Sequence, residues 1–386
     1  MTNPDDQLGP LIRLWGLRKH QLPPVDETPD GLAPFLVSIL QEAVPFVDSV
    51  APKAGGGSSS SSSGSGGGLW KPKGSKTFPP EAAKAKVVLS ERKVEVDALE
   101  KVAGRSGIGG GYKITGPETW SCRKSIHEDA AEPGTASWAE FHDCLKQRHA
   151  ETEDAFTPTV VGYRQAAVWD CGGVEADEAG ETWGHFTLSL SEMRHRIGKP
   201  ILKDRTFPVL QMTCAAMDKT LVGGGEHQPS DAAAVSHRQK PEFLVVSITV
   251  DDYYHPDGGA TTTDSSSNGT IVAAYASVER VRKLPDTGEI EWIMATVSDA
   301  RGVLPKFVQA RAVPGQIAKD VALFLSWIAR ERDKHSSSQP ANPVAGDYVA
   351  AHDGAAAREP IPSSRDDGTS TPPPAPDPPA AKDTVV

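Results

Sequence analysis

GEIEWIMATVSDARGVLPKFVQARAVPGQIAKDVALFLSWIAR, residues 288–330, joins a β-strand to a long helix. Residues 289–298 are dense in Ile, Trp, Met, Thr and Val without helical spacing, so they read as a strand covered on both faces. Asp299-Ala300-Arg301-Gly302 is a turn, with Asp299 as turn former rather than acid catalyst. Leu304-Pro305 then opens a helical pattern. Val313, Ile317, Val321, Phe324 and Ile328 recur at three- and four-residue intervals, while Lys319, Asp320, Arg330 and Glu331 stay off that stripe. One face of the helix must therefore be buried. Pro314 cannot donate an amide hydrogen bond and clashes with the Ala310 carbonyl in a straight helix, so the spacing predicts a kink or restart there. Residues 304–312 and 314–332 become two pieces about a hinge at Val313-Pro314-Gly315, a candidate lid.

Further strands are expected upstream, at 118–127, 159–170, 183–194, 207–216, 242–250 and 271–284. Short turns such as 284–288 make the sheet largely antiparallel. Between the first two strands Ser137 and Glu140 form a capping box ahead of Trp138, Phe141, Cys144 and Leu145. Residues 86–99 fit either an edge strand or a short helix, and SGIGGG at 106–111 matches no phosphate-binding loop in register, so it reads as a flexible loop. Residues 223–240 and 252–269 read as disordered insertions.

The chain divides by composition into four parts. Residues 1–50 hold an amphipathic helix over 32–47 that packs on the main domain. Residues 51–80 are a linker whose Gly/Ser run tethers that helix loosely, 81–335 are the folded domain, and 336–386 are a Pro/Ser/Ala-rich acidic tail. The tail offers weak docking signals, a PxxP run and a terminal Thr384-Val385-Val386. After Gln339 seven acids face three bases, part of a net charge of −11 over 386 residues. No cluster of Lys and Arg stands out, which argues against a nucleic-acid protein. Cys122, Cys144, Cys171 and Cys214 are widely spaced without a CxxC pair, which disfavours a zinc site and a disulfide framework. Absent a signal peptide or about 18 consecutive apolar residues, a soluble, cytoplasmic monomer is expected.

The order of a strand and helix, a run of antiparallel strands and a long C-terminal helix resembles the START lipid-transfer fold and its helix-grip superfamily. TWSCRKSIHEDA at 119–130, TASWAEFHDCL at 135–145, FLVVSI at 243–248 and residues 276–328 are similar to a fungal START-like family that carries only an unknown-function label. The resemblance covers about 118–330. It implies an α+β, helix-grip fold in which a curved antiparallel sheet wraps the C-terminal helix around an apolar tunnel. Such a pocket binds a hydrophobic small molecule, a lipid being the expected class, by area burial and a few polar anchors. On this reading Tyr275, Trp292, Met294, Phe307, Val313, Ile317, Val321 and Phe324 bind ligand.

No catalytic constellation is recognisable. His127, His185 and His195 lie on or beside strands without metal-ligand spacing, there is no GxSxG elbow, and no cofactor or metal is expected. His127-Glu128-Asp129 is a weak acid/base candidate. Arg194-His195-Arg196, with Lys199, Lys203 and Arg205, is the most basic cluster, suited to an anionic headgroup or a transient membrane contact. Glu279 and Arg280 are adjacent on a strand, so at most one faces a pocket, where it would need a partner. The alternatives to a binding protein are a helix-grip enzyme acting on a hydrophobic substrate and an adaptor working through the tails.

Overall fold

The computed structural model describes residues 9–51, 68–106, 114–196, 203–218, 238–254, 270–302 and 306–338. Among these, eleven strands form one sheet. They are β1 (Lys71–Lys76), β2 (Val87–Val94), β3 (Glu118–His127), β4 (Val160–Trp169), β5 (Ala176–Glu178), β6 (Glu181–His195), β7 (Arg205–Asp218), β8 (Arg238–Thr249), β9 (Ile271–Val272), β10 (Ala274–Lys283) and β11 (Ile290–Asp299). The order is β1-β2-β3-β11-β10-β8-β7-β6-β4, antiparallel throughout, with β5 antiparallel on β6 and the two-residue β9 parallel to β7. The helices are α1 (Pro29–Asp48), α2 (Val96–Ser106), α3 (Trp138–Phe141), α4 (His149–Phe156) and α5 (Lys306–Ser338), with a π-helical turn at His142–Gln147 between α3 and α4.

Residues 86–99 hold both expected elements in succession, β2 and then the start of α2. β1 lies within the stretch expected as linker, where its pairing with β2 orders an all-exposed, lysine-rich edge. Lysine and proline on such an edge discourage a further strand from adding. The capping box is in place: Ser137 N donates to Glu140 Oε2 at 2.7 Å, and Glu140 N donates to Ser137 Oγ at 3.4 Å. The SGIGGG run beyond Ser106, the Gly/Ser run, most of both insertions, Leu304-Pro305 and the tail lie outside the described residues.

The pleat sorts side chains onto two faces. Cys122, Ala295, Val278, Val246 and Met212 oppose one another across β3, β11, β10, β8 and β7 and build the core of the outer face. One residue along, Arg123, Met294, Glu279, Val245 and Thr213 form the matching row on the inner face, beneath α5. The inner core is aromatic. Phe324 of α5 lies 5.3 Å from Trp292, 5.5 Å from Phe141 and 5.7 Å from Phe156, ring centre to ring centre. Such contacts add to area burial.

α1 is not loosely tethered. Its Leu32, Leu36, Ile39, Leu40, Ala43, Val44, Phe46 and Val47 are buried in the outer-face core together with Leu11, Ile12, Leu14, Trp15 and Leu17. A buried Leu or Ile is worth roughly 1.5–3 kcal/mol, so a layer of this size holds without help from the linker. By length and composition α1 could also cross a membrane, yet here its apolar face is spent on the sheet. Polar links fix the register. Glu118 accepts from Leu14 N at 2.8 Å and from Trp120 Nε1 at 3.2 Å, with Arg13 3.8 Å away. Leu17 bridges Val250, its N donating to the Thr249 carbonyl at 2.8 Å. Gly16 makes this approach at φ 62°, where a β-carbon would stand 2.1 Å from the Thr249 oxygen.

α5 runs unbroken from Lys306 to Ser338 with Pro314 inside it, so the restart expected at Val313-Pro314-Gly315 does not occur. A proline costs a helix about 3 kcal/mol or more, and the packing of Ile317, Ala318, Val321, Phe324, Leu325 and Ile328 downstream outweighs it.

Candidate ligand-binding site

Between the inner face and the helices is a cavity of about 400 Å³. Its walls come from three places: Arg123, Glu279, Trp292 and Met294 on β3, β10 and β11; His149, Glu153 and Phe156 on α4; and Gln309, Ala312, Val313, Gln316 and Asp320 on α5. The spacing accounts for the helical contributions. Positions 149, 153 and 156 share one side of α4, and 309, 312/313, 316 and 320 share one stripe of α5. His195, Arg196, Thr157, Thr159 and Phe207 border the opening, where Thr159 and Arg196 are exposed.

The floor is charged. Arg123, 2% exposed, stacks its guanidinium 3.8 Å from the Trp292 ring centre and stands 3.6 Å from Glu279. Trp292 Nε1 donates to the same carboxylate at 3.0 Å. His149 Nε2 is 3.8 Å from both Glu153 and Glu279. Burial pushes the Asp320 carboxyl up to about 7, Arg123 opposing and Glu153 and Glu279 adding to the rise. Glu153 is raised too, chiefly by burial. Burial, against the pull of Glu279 and Asp320, holds the Arg123 guanidinium below its usual range.

Of the expected ligand contacts, Trp292, Met294 and Val313 line the cavity, and so do His195 and Arg196. Ile317, Val321 and Phe324 do not. They occupy the neighbouring stripe of α5 and fill the solid inner core, because the most apolar stripe takes the dry contact and a mixed one faces the space. Tyr275 packs on Phe207, ring centres 5.5 Å apart, outside the lining. Phe307 belongs to α5, its side chain lying outside the described residues. Arg194 pairs with Asp204 at 3.2 Å and Arg196 lies 3.9 Å from the same carboxylate, so part of the basic cluster is offset. Burial pushes His195 down to about 4, which leaves it neutral at ordinary pH.

His127 is a core residue rather than an acid/base. Burial, with Arg123 nearby, pushes it down to about 3, and its ring sits 5.4 Å from Phe141. Arg123, His149, Glu153 and Asp320 were missed as site residues, while Glu279 is the member of the Glu279-Arg280 pair that faces inward. Arg280 points to the outer face and bonds Asp48 and the Ala51 carbonyl. The four cysteines are free and buried, and burial pushes Cys122 up to about 12 and Cys144 and Cys171 up to about 11. Among the described residues no group of three or more His, Cys, Asp or Glu could hold a metal ion.

A family profile described as "Protein of unknown function (DUF3074)" matches residues 120–328. The chain belongs to this family. All five ionisable residues of the floor lie within the DUF3074 span, whereas α1 and the segment that docks beside it precede the span. No curated protein matches the chain. Similar solved structures include human STARD10, at 11% identity and TM-score 0.43, covering 77% of this chain and 82% of that one. The lipid transfer and protein localization domain of human StarD13 (DLC2) is similar at 12% identity and TM-score 0.35, covering 67% and 88%. Human StAR-related lipid transfer protein 5 is similar at 12% and 0.36, covering 69% and 88%.

Proposed function

We propose that this protein binds a hydrophobic small molecule of the lipid class, without chemical turnover, in the cavity between the sheet and α5. The observation that carries this reading is the cavity itself. At about 400 Å³ it falls within the roughly 300–1,000 Å³ typical of small-molecule sites. Leu145, Phe156, Phe207, Trp292, Met294 and Val313 supply apolar wall, and a few polar groups converge at one end. Burying apolar ligand surface there at about 25 cal/mol per Å² drives binding without a reacting group. Native mass spectrometry of the purified full chain, followed by solvent extraction, tests it. Near-stoichiometric co-purified lipid supports the reading; an empty cavity that takes up no lipid from vesicles overturns it.

A helix-grip enzyme is the second reading, favoured by one observation. His149 Nε2 sits 3.8 Å from two carboxylates beside an Asp320 that titrates near neutrality, a setting that suits proton transfer. Conversion of an extracted lipid on incubation, abolished by His149→Gln, would establish it in place of the first.

A further inference from the structure

The cavity floor offers more acceptors than its buried cation can satisfy. Glu279 already receives the Trp292 indole N–H and the Arg123 guanidinium. Glu153 has His149 Nε2 3.8 Å away, and Asp320 faces the same space from α5. His149 Nδ1 lies 2.9 Å from the Leu145 carbonyl, which can only accept, so Nδ1 donates there and Nε2 is left facing the carboxylates of the cavity. On the donor side, Arg123 Nε and Nη1 have no hydrogen-bond partner among the described residues, although the residue is 98% buried. Arg196 also borders the cavity, but it is half exposed at the opening and offset by Asp204.

Three carboxyls against one guanidinium leave the floor acidic. Buried charges and unpaired donors are retained where something pairs them. The complement is a group that brings positive charge and N–H donors to the carboxyls, next to an oxygen that accepts from Arg123. We propose that the ligand is a long-chain amino alcohol seated polar end inward, its ammonium among Glu153, Glu279 and Asp320 and its hydroxyl oxygen accepting from Arg123. This rests on the lipid-binding reading above. A fatty-acid carboxylate would suit Arg123 alone, while adding a fourth carboxyl to the floor; an N-acylated amino alcohol would bring no charge.

The test is competition binding to the full chain near neutral pH with sphinganine, N-acetylsphinganine and stearic acid, each below its aggregation limit. Sphinganine should bind at least about tenfold tighter than either of the others, the scale of one charge-assisted hydrogen bond. Glu153→Gln with Asp320→Asn should remove that preference, bringing sphinganine down to within about threefold of N-acetylsphinganine. The wild-type ranking needs no variant, so a misfolded variant does not blunt the test. Equal or tighter binding of N-acetylsphinganine or stearic acid overturns the amine assignment while keeping the cavity as a lipid site. Binding of none of the three, with no co-purified lipid, overturns both.

Discussion

Arg123 on β3 and Glu279 on β10 meet across an intervening strand: each is in register with Met294 of β11, and guanidinium and carboxylate stand 3.6 Å apart. The two residues belong to strands that do not touch. Their pairing therefore exists only when β11 has taken its place between them, which ties the charge of the cavity floor to closure of the sheet.

Glu279→Ala should strip the buried guanidinium of its nearest carboxylate and cost about 3–5 kcal/mol in chemical denaturation, as breaking a buried pair does. Arg123→Met combined with Glu279→Leu should recover most of that loss, because two apolar side chains need no partner. A double variant as unstable as Glu279→Ala would show that the pair itself, rather than the orphaned charge, sets the cost.

Asp320 gives the pH dependence a sign. Its folded value of about 7 lies above the usual 3.8, so the folded state holds the proton more tightly than the unfolded chain does. Stability from this group is fully present below about pH 4 and is lost as pH rises toward and through 7. Asp320→Asn should flatten that fall and gain on the order of 1–3 kcal/mol at pH 8. Urea midpoints of both proteins across pH 4–8 read it; parallel curves would contradict it.

Val313 and Phe324 sit on adjacent stripes of α5 and should respond oppositely. Val313→Trp fills cavity space and should abolish lipid loading with little change in Tm. Phe324→Ala should cost about 3–5 kcal/mol, because it removes the ring that Trp292, Phe141 and Phe156 surround. Loading by native mass spectrometry and Tm by scanning calorimetry separate the two.

Gly16→Val forces a β-carbon into the Thr249 carbonyl and a branched side chain to a positive φ. The expected result is a loss of about 1–3 kcal/mol, with faster hydrogen exchange in α1 and slower change in α5. Uniform acceleration throughout the chain would instead mean that the layers unfold as one.

Much of this fold is legible one residue at a time. The strand over 290–299 and the helix beyond it follow from β-branched density and a three- and four-residue apolar repeat, and the Ser137 capping box follows from two residues three apart. Period alone also announced that Glu279 and Arg280 part to opposite faces. It could not say that β3, read by Trp120 and Cys122, would turn its polar phase inward, so that Arg123, Ser125 and His127 are as buried as the apolar set. Both phases of that strand are covered, one by α1 and the N-terminal segment and the other by α5, and alternation carries no information about which cover is dry.

The sequence by itself determined most of the elements, their mostly antiparallel assembly and the existence of an apolar face on α5. Only the tertiary structure decided that Ile317, Val321 and Phe324 fill the core while Val313, Gln316 and Asp320 face the space beside it. Neighbouring stripes of one helix differ by a rotation that the sequence does not set; it is set by where Trp292, Phe141 and Phe156 leave room. The same holds for the charged floor. Arg123, His149, Glu153, Glu279 and Asp320 lie on four separate elements, and only the sheet register and the seat of α4 and α5 bring the first four within about 4 Å of a neighbour and set Asp320 in the same cavity wall.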